Sequence, residues 1–126
     1  MQRLRTRAQF QAVLATRPIA RTPHFAWHRL NFAMDPPAPA GAAFPHGGAW
    51  LGALAPKRWA RRAVRRNLIR RQIHALGDGC DALADGASVI RLRAAFVHAA
   101  YPSASSDALK RAVRAELVEL LARKSR

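Results

Sequence analysis

Residues 57–76 read Lys57-Arg58-Trp59-Ala60-Arg61-Arg62-Ala63-Val64-Arg65-Arg66-Asn67-Leu68-Ile69-Arg70-Arg71-Gln72-Ile73-His74-Ala75-Leu76. Eight of the chain's 22 lysines and arginines lie in this stretch, and no acid does. Placed on a helix at about 100° per residue, the stretch separates into two halves. Val64, Leu68, Ile69, Ile73, Ala75 and Leu76 share one half; Arg66, Asn67, Arg70, Arg71 and His74 share the other. Arg65 and Gln72 intrude on the apolar half, where an arginine stem can lie flat and send its head to water. A helix of this kind needs a core under one face and a partner over the other.

A face carrying only cations repels itself. Solvated helix faces ordinarily mix signs, because Glu and Lys spaced by four stabilise each other. The one-sided charge therefore favours an external polyanion over a merely solvated face. Helices that lie on anionic membranes carry a broad apolar face for insertion, and here that face is needed for the core. Nucleic acid is the better fit.

Toward the N-terminus, Thr6 and Gln9 have the spacing of a capping box. Phe10, Val13 and Leu14 follow at i, i+3 and i+4, a short helix ended before Pro18. Residues 24–33 read as a strand. Phe25, Trp27, Arg29 and Asn31 would line one face, and His24, Ala26, His28, Leu30 and Phe32 the other. Both faces are mixed, so one is expected to be only partly covered. His24 and His28 share a face with no Cys, Asp or Glu beside them in sequence, which argues against a metal site.

Residues 35–49 are rich in Pro, Ala and Gly and read as a long loop. Trp50 to Ala55, stopped by Pro56, suits a buried strand, and the basic stretch follows at once. Gly77-Asp78-Gly79-Cys80-Asp81 ends the helix with glycine. Ser88 to Val97 reads as a strand with Val89, Ile90 and Leu92 in the core. Ser106 caps a last helix whose stripe is Leu109, Ala112, Val113, Leu117, Leu120 and Leu121. Glu116 and Glu119 give that helix ordinary mixed charge, the mark of scaffold.

The order αββαβα describes an α+β fold, a two-layer α/β sandwich with helices on a small sheet. At 126 residues the chain is expected to form one domain over 1–126. Its formal net charge of +15 is uneven. Residues 1–76 hold fourteen lysines and arginines against Asp35 alone, whereas residues 77–126 hold eight against six acids. The contact surface belongs to the first two-thirds. Cys80 is the single cysteine, which excludes an intrachain disulfide and suits a reducing compartment. No apolar run has the length of a membrane span, and the chain reads as mature and cytoplasmic. Asp78, Asp81 and Asp85 lack calcium-loop spacing. Phosphate-cradling glycine motifs, paired zinc ligands and a nucleophile elbow are all missing. Binding, with no catalytic centre in this chain, is the expectation.

The run Lys57-Arg58-x-x-Arg61-Arg62-Ala63-x-x-Arg66-Asn67-x-Ile69-Arg70-Arg71 resembles the signature of the bacterial ribonuclease P protein subunit, a basic turn followed by an arginine-rich helix. Gln9-Phe10-Gln11-x-Val13, Trp50 to Ala55 and Ala87 to Arg93 are similar to that family's first helix and flanking strands. The resemblance implies a left-handed β-α-β crossover, against the general right-handed rule. It implies an accessory role beside a catalytic RNA that removes the 5′ leader of precursor tRNA, with magnesium held in the RNA and no cofactor on the protein. Carried over, Arg66, Asn67, Arg70 and Arg71 contact the catalytic RNA. Lys57, Arg58, Arg61 and Arg62 form the basic turn. Phe10 lines a leader cleft where bases stack without sequence preference, and Leu14 and His28 fall where the family often has further aromatics.

Leu68 stands where the signature usually has Arg, and His74-Ala75 where it usually has Arg and an acid or amide. His74 either contacts phosphate or sits idle on the helix. Two other readings compete: a structural, ribosomal-type RNA-binding protein, and a DNA-binding module with the helix in the major groove.

Overall fold

The computed structural model describes residues 1–32, 44, 48–96 and 107–123. In chain order the elements are β1 (Gln2–Arg3), α1 (Arg7–Leu14), β2 (Pro18–Arg21), β3 (Phe25–Asn31), β4 (Ala49–Leu54), α2 (Ala63–Gly77), a 3-10 turn (Asp81–Leu83), β5 (Gly86–Leu92) and α3 (Asp107–Arg123). The five strands make one sheet in the order β1-β4-β5-β3-β2. β4 and β5 are parallel neighbours joined through α2, the expected β-α-β unit. β1 runs parallel to β4, while β3 and β2 complete the sheet antiparallel.

Strand alternation divides the core in two. Phe25 and Trp27 of β3, Leu51 and Ala53 of β4, and Ile90 and Leu92 of β5 meet Ile69 and Ile73 of α2 and Leu109, Val113, Leu117 and Leu120 of α3. On the opposite face Leu30, Trp50, Ala87 and Val89 meet Leu4 and Val13, with Phe10 and Leu14 of α1 packed at the margin. The mixed α/β class stands, with helices on both faces of the sheet and two short strands, β1 and β2, beyond the expected order.

Several local expectations hold. The Thr6 hydroxyl accepts from the Gln9 N–H at 3.1 Å, and the Gln9 side chain accepts from the Thr6 N–H, a complete capping box. Leu109, Val113, Leu117 and Leu120 are fully buried along α3. Others change. β3 is covered on both faces rather than one, because α1 lies on one side and α3 on the other. β5 stops at Leu92, where Arg93 turns to donate to the carbonyls of Thr22 and Pro23. Val97 and Ser106, the expected strand end and helix cap, lie outside the described residues, as does most of the 35–49 loop. Phe44 of that loop is buried between Phe32 and Trp50, with ring centroids 5.6 and 5.4 Å away.

Gly77 ends α2 for a different reason from the one expected. Its φ is not positive; among the described glycines only those of Gly48 and Gly79 are. An added Cβ at Gly77 would overlap Leu51 Cδ2, so the glycine permits close approach of α2 to β4.

Candidate nucleic-acid interface

Pro56 stops β4, and its carbonyl accepts from the N–H groups of Trp59 and Ala60 at 3.0 and 3.1 Å. This tight turn presents Lys57, Arg58, Arg61 and Arg62, all exposed, ahead of the helix. The Arg58 guanidinium lies 5.1 Å from the Trp59 ring centroid, a cation–π contact that steadies the turn. α2 begins only at Ala63, so these four cations lie in the turn and not on the helix. No acid occupies the first turn of α2, and the partial positive charge of the helix N-terminus adds to theirs.

Along α2, Asn67 and Arg71 are exposed, while Arg66, Arg70 and His74 are half-buried. Arg66 Nη1 donates to the carbonyls of Ala60 and Arg61 at 3.1 and 2.6 Å, tying the helix to the turn. Arg70 Nη2 donates to Asn67 Oδ1 at 2.6 Å. The helix thus orients its own cations with neutral partners, which leaves their charge uncompensated. Asn67, Arg70, Arg71 and His74 line a depression of about 550 Å³ with Ala75, Asp78 and, from the sheet edge, Arg3. Sequence reasoning missed Arg3, because a two-residue strand has no periodicity to read. Burial first, then Arg3, lowers the His74 pKa below its ordinary 6.5, with Asp78 opposing.

Three positions on the helix depart from the sequence reading. Val64 and Ala75, expected on the apolar half, are exposed. Arg65 does not send its head to water: it is buried, and Nη1 donates to the Phe96 carbonyl at 3.2 Å. Burial there, with Arg62 nearby, pushes its pKa down.

The three residues assigned to a leader cleft all lie on the α1 side of the sheet. Phe10 is half-buried against Gly52, where an added Cβ would come within 2.6 Å of Phe10 Cε1. Leu14 packs beside it. His28 is 6% exposed and both ring nitrogens are engaged. Nδ1 donates to the Thr16 carbonyl at 2.8 Å, which leaves Nε2 to accept from Arg91 Nε at 3.0 Å. That pairing requires the neutral ring, and burial, Arg91 and Arg21 lower the His28 pKa accordingly. His28 therefore aims Arg91 rather than offering a free edge.

Arg91 was not anticipated, although the alternation Ala87, Val89, Arg91 could have placed it on this face. Burial and the like charges of Arg93, Arg21 and Arg58 disfavour its positive charge, the electrostatic mark of a place that attracts an anion. His24 does have an acid partner, one remote in sequence: Glu116 Oε1 lies 2.7 Å from its Nδ1. Among the described residues, no three His, Cys, Asp or Glu side chains gather to hold a metal ion. No helix there is long and apolar enough to cross a membrane.

A basic turn and helix, mounted on a small mixed sheet whose other face carries a second group of arginines, define an α/β protein of the polyanion-binding class. A family model described as Ribonuclease P matches residues 1–123. The ribonuclease P protein component of Ralstonia pickettii (strain 12J) is 38% identical over 120 residues, covering 94% of this chain and 75% of that protein. The solved Staphylococcus aureus RNase P protein superposes with a TM-score of 0.66 over 97% of this chain and 94% of that one, at 16% identity, a likeness of fold. The chain belongs to the ribonuclease P protein family, as the run from Lys57 to Arg71 indicated.

Proposed function

We propose that this chain is the protein subunit of ribonuclease P, a single RNA-binding domain over residues 1–126 that assists removal of the 5′ leader from precursor tRNA. The observation that supports this best is the uncompensated cationic surface running from Lys57 to His74 on the family's fold. In this reading Asn67, Arg70, Arg71 and His74 meet the catalytic RNA along α2. Lys57, Arg58, Arg61 and Arg62 meet it from the turn, and Arg66 holds turn and helix in register while its remaining donors face the RNA. The leader lies along the α1 side of the sheet, where Phe10 and Leu14 give apolar contact and Arg91, aimed by His28, meets phosphate.

The phosphodiester is hydrolysed at a centre in the RNA with magnesium held there, and the protein contributes binding and orientation. Holding the leader raises affinity for the leader-bearing substrate over the mature product, which carries no leader to hold. The free Cys80 thiol suits action in the reducing cytoplasm.

The test is cleavage of a precursor tRNA by a bacterial ribonuclease P RNA at low magnesium, with and without the full chain. A large stimulation, reduced by Arg66→Ala or Arg70→Ala, is the expected result. Tight RNA binding without any stimulation would overturn the reading in favour of a ribosomal-type scaffold protein.

A further inference from the structure

The depression beside α2 is not a flat helix face. It has a second wall, the edge strand β1, and that wall contributes Arg3. β1 is two residues long and joins the sheet through its pairing with Trp50 and Leu51 of β4, extended by one hydrogen bond from Leu4 N–H to the Leu51 carbonyl at 3.1 Å. Gln2 and Arg3 are both exposed, so the strand's apolar hold comes from the next residue, the buried Leu4. Facing Arg3 across the depression are Arg70, Arg71 and His74, with Asn67 as a neutral donor and Asp78 as the opposing carboxylate. Four basic side chains from two separate elements converge on one space with a single acid at its rim.

Resting on the RNA-docking reading above, we propose that the cleft between β1 and α2 is a phosphate-binding site. In it Arg3 closes from the strand side over an RNA phosphate held by Arg70 and Arg71. Such a phosphate bridges α2, which several core residues secure, to β1, whose apolar hold is Leu4 at its end. The His74 ring, its pKa lowered by burial first and by Arg3 second, borders the same space. RNA bound here fixes the edge strand as well as the helix.

The experiment measures the affinity of the full chain for a transcribed bacterial ribonuclease P RNA across a salt series. Wild type is compared with Arg3→Gln, Arg3→Lys, Asp78→Asn and, as a distant exposed control, Arg123→Gln. Each phosphate contact contributes roughly 0.7–0.9 to the slope of log affinity against log salt. Arg3→Gln is expected to make the slope shallower by about one contact, Arg3→Lys to restore most of it, and Asp78→Asn to tighten binding. Hydrogen exchange at the Leu4 amide should slow on RNA binding in wild type and not in Arg3→Gln. An unchanged slope in Arg3→Gln, with Leu4 exchange still slowing on RNA binding as in wild type and binding still weakened by Arg70→Ala, would overturn the cleft and leave RNA docking intact. Failure of wild type to bind the RNA at all would overturn the docking reading and the cleft with it.

Discussion

Glu116 accepts from the Thr22 hydroxyl at 2.6 Å and from the His24 N–H at 2.7 Å, and its other oxygen meets His24 Nδ1 at 2.7 Å. The His24 ring in turn stacks on Phe96 at 3.9 Å between centroids. One carboxylate on α3 thus secures the turn between β2 and β3. Removing it strands the Thr22 hydroxyl and the His24 N–H, each such group costing about 1–3 kcal/mol, and leaves the partly exposed His24 ring to water. Glu116→Ala is therefore expected to lower stability by about 2–4 kcal/mol in urea unfolding, while the exposed Glu119→Ala, which loses only its pair with Arg123, should change it by under ~0.5 kcal/mol. His28 makes a second residue-scale prediction. Its pKa is held below 6.5, chiefly by burial, so below that pH the unfolded chain binds a proton that the folded chain refuses. Stability is full above pH 6.5 and declines as the pH falls through it, and His74 acts in the same direction. Urea midpoints should drop between about pH 7.5 and about pH 5.5, and His28→Gln should flatten part of that drop.

Among the elements, α2 shows what periodicity can and cannot disclose. Its amphipathic division, its cations and its start after Pro56 are plain in the sequence, because they rest on local spacing. The inward placement of Arg65 was not legible, since the carbonyl that satisfies it belongs to Phe96, thirty-one residues on. The pairing of His24 with Glu116 was hidden for the same reason. β1 and β2 were missed because two and four residues leave too little pattern, and their strand state comes from their neighbours. The contact surface was readable as charge; its depth was not, because Arg3 reaches it only through sheet pairing. Two predictions belong here. Gly77→Ala improves helix propensity by about 1 kcal/mol, yet forces its methyl into the buried Leu51 and should destabilise the protein by about 1–3 kcal/mol net. Arg66→Ala should speed hydrogen exchange around residues 60 and 61, whose carbonyls its side chain holds, whereas Arg71→Ala should weaken RNA binding with that exchange unchanged.

For the whole molecule the decisive quantity is the asymmetry of charge. The net +15 is concentrated on residues 1–76, and the sheet brings the cations of β1, the turn and α2 to adjoining surfaces. With six to ten phosphate contacts, affinity for structured RNA should fall by roughly three to five decades between about 50 and 200 mM salt. The sheet order has a temporal consequence as well. β5, at residues 86–92, is the central strand, and both β3 and β4 hydrogen-bond to it and not to each other. A ribosome releases the chain from its N-terminus, so the strands that flank the centre emerge with their inner edges unfilled. They wait until the last third of the polypeptide appears. Only the outer pairs, β2 with β3 and β1 with β4, lie within the first 80 residues, so the complete sheet waits for β5 and the long-range pairings make for slow, late assembly. The most basic part of the chain therefore leaves the ribosome first, as an incompletely folded polycation, and gains its full shape only when a nearly neutral segment slots in behind it.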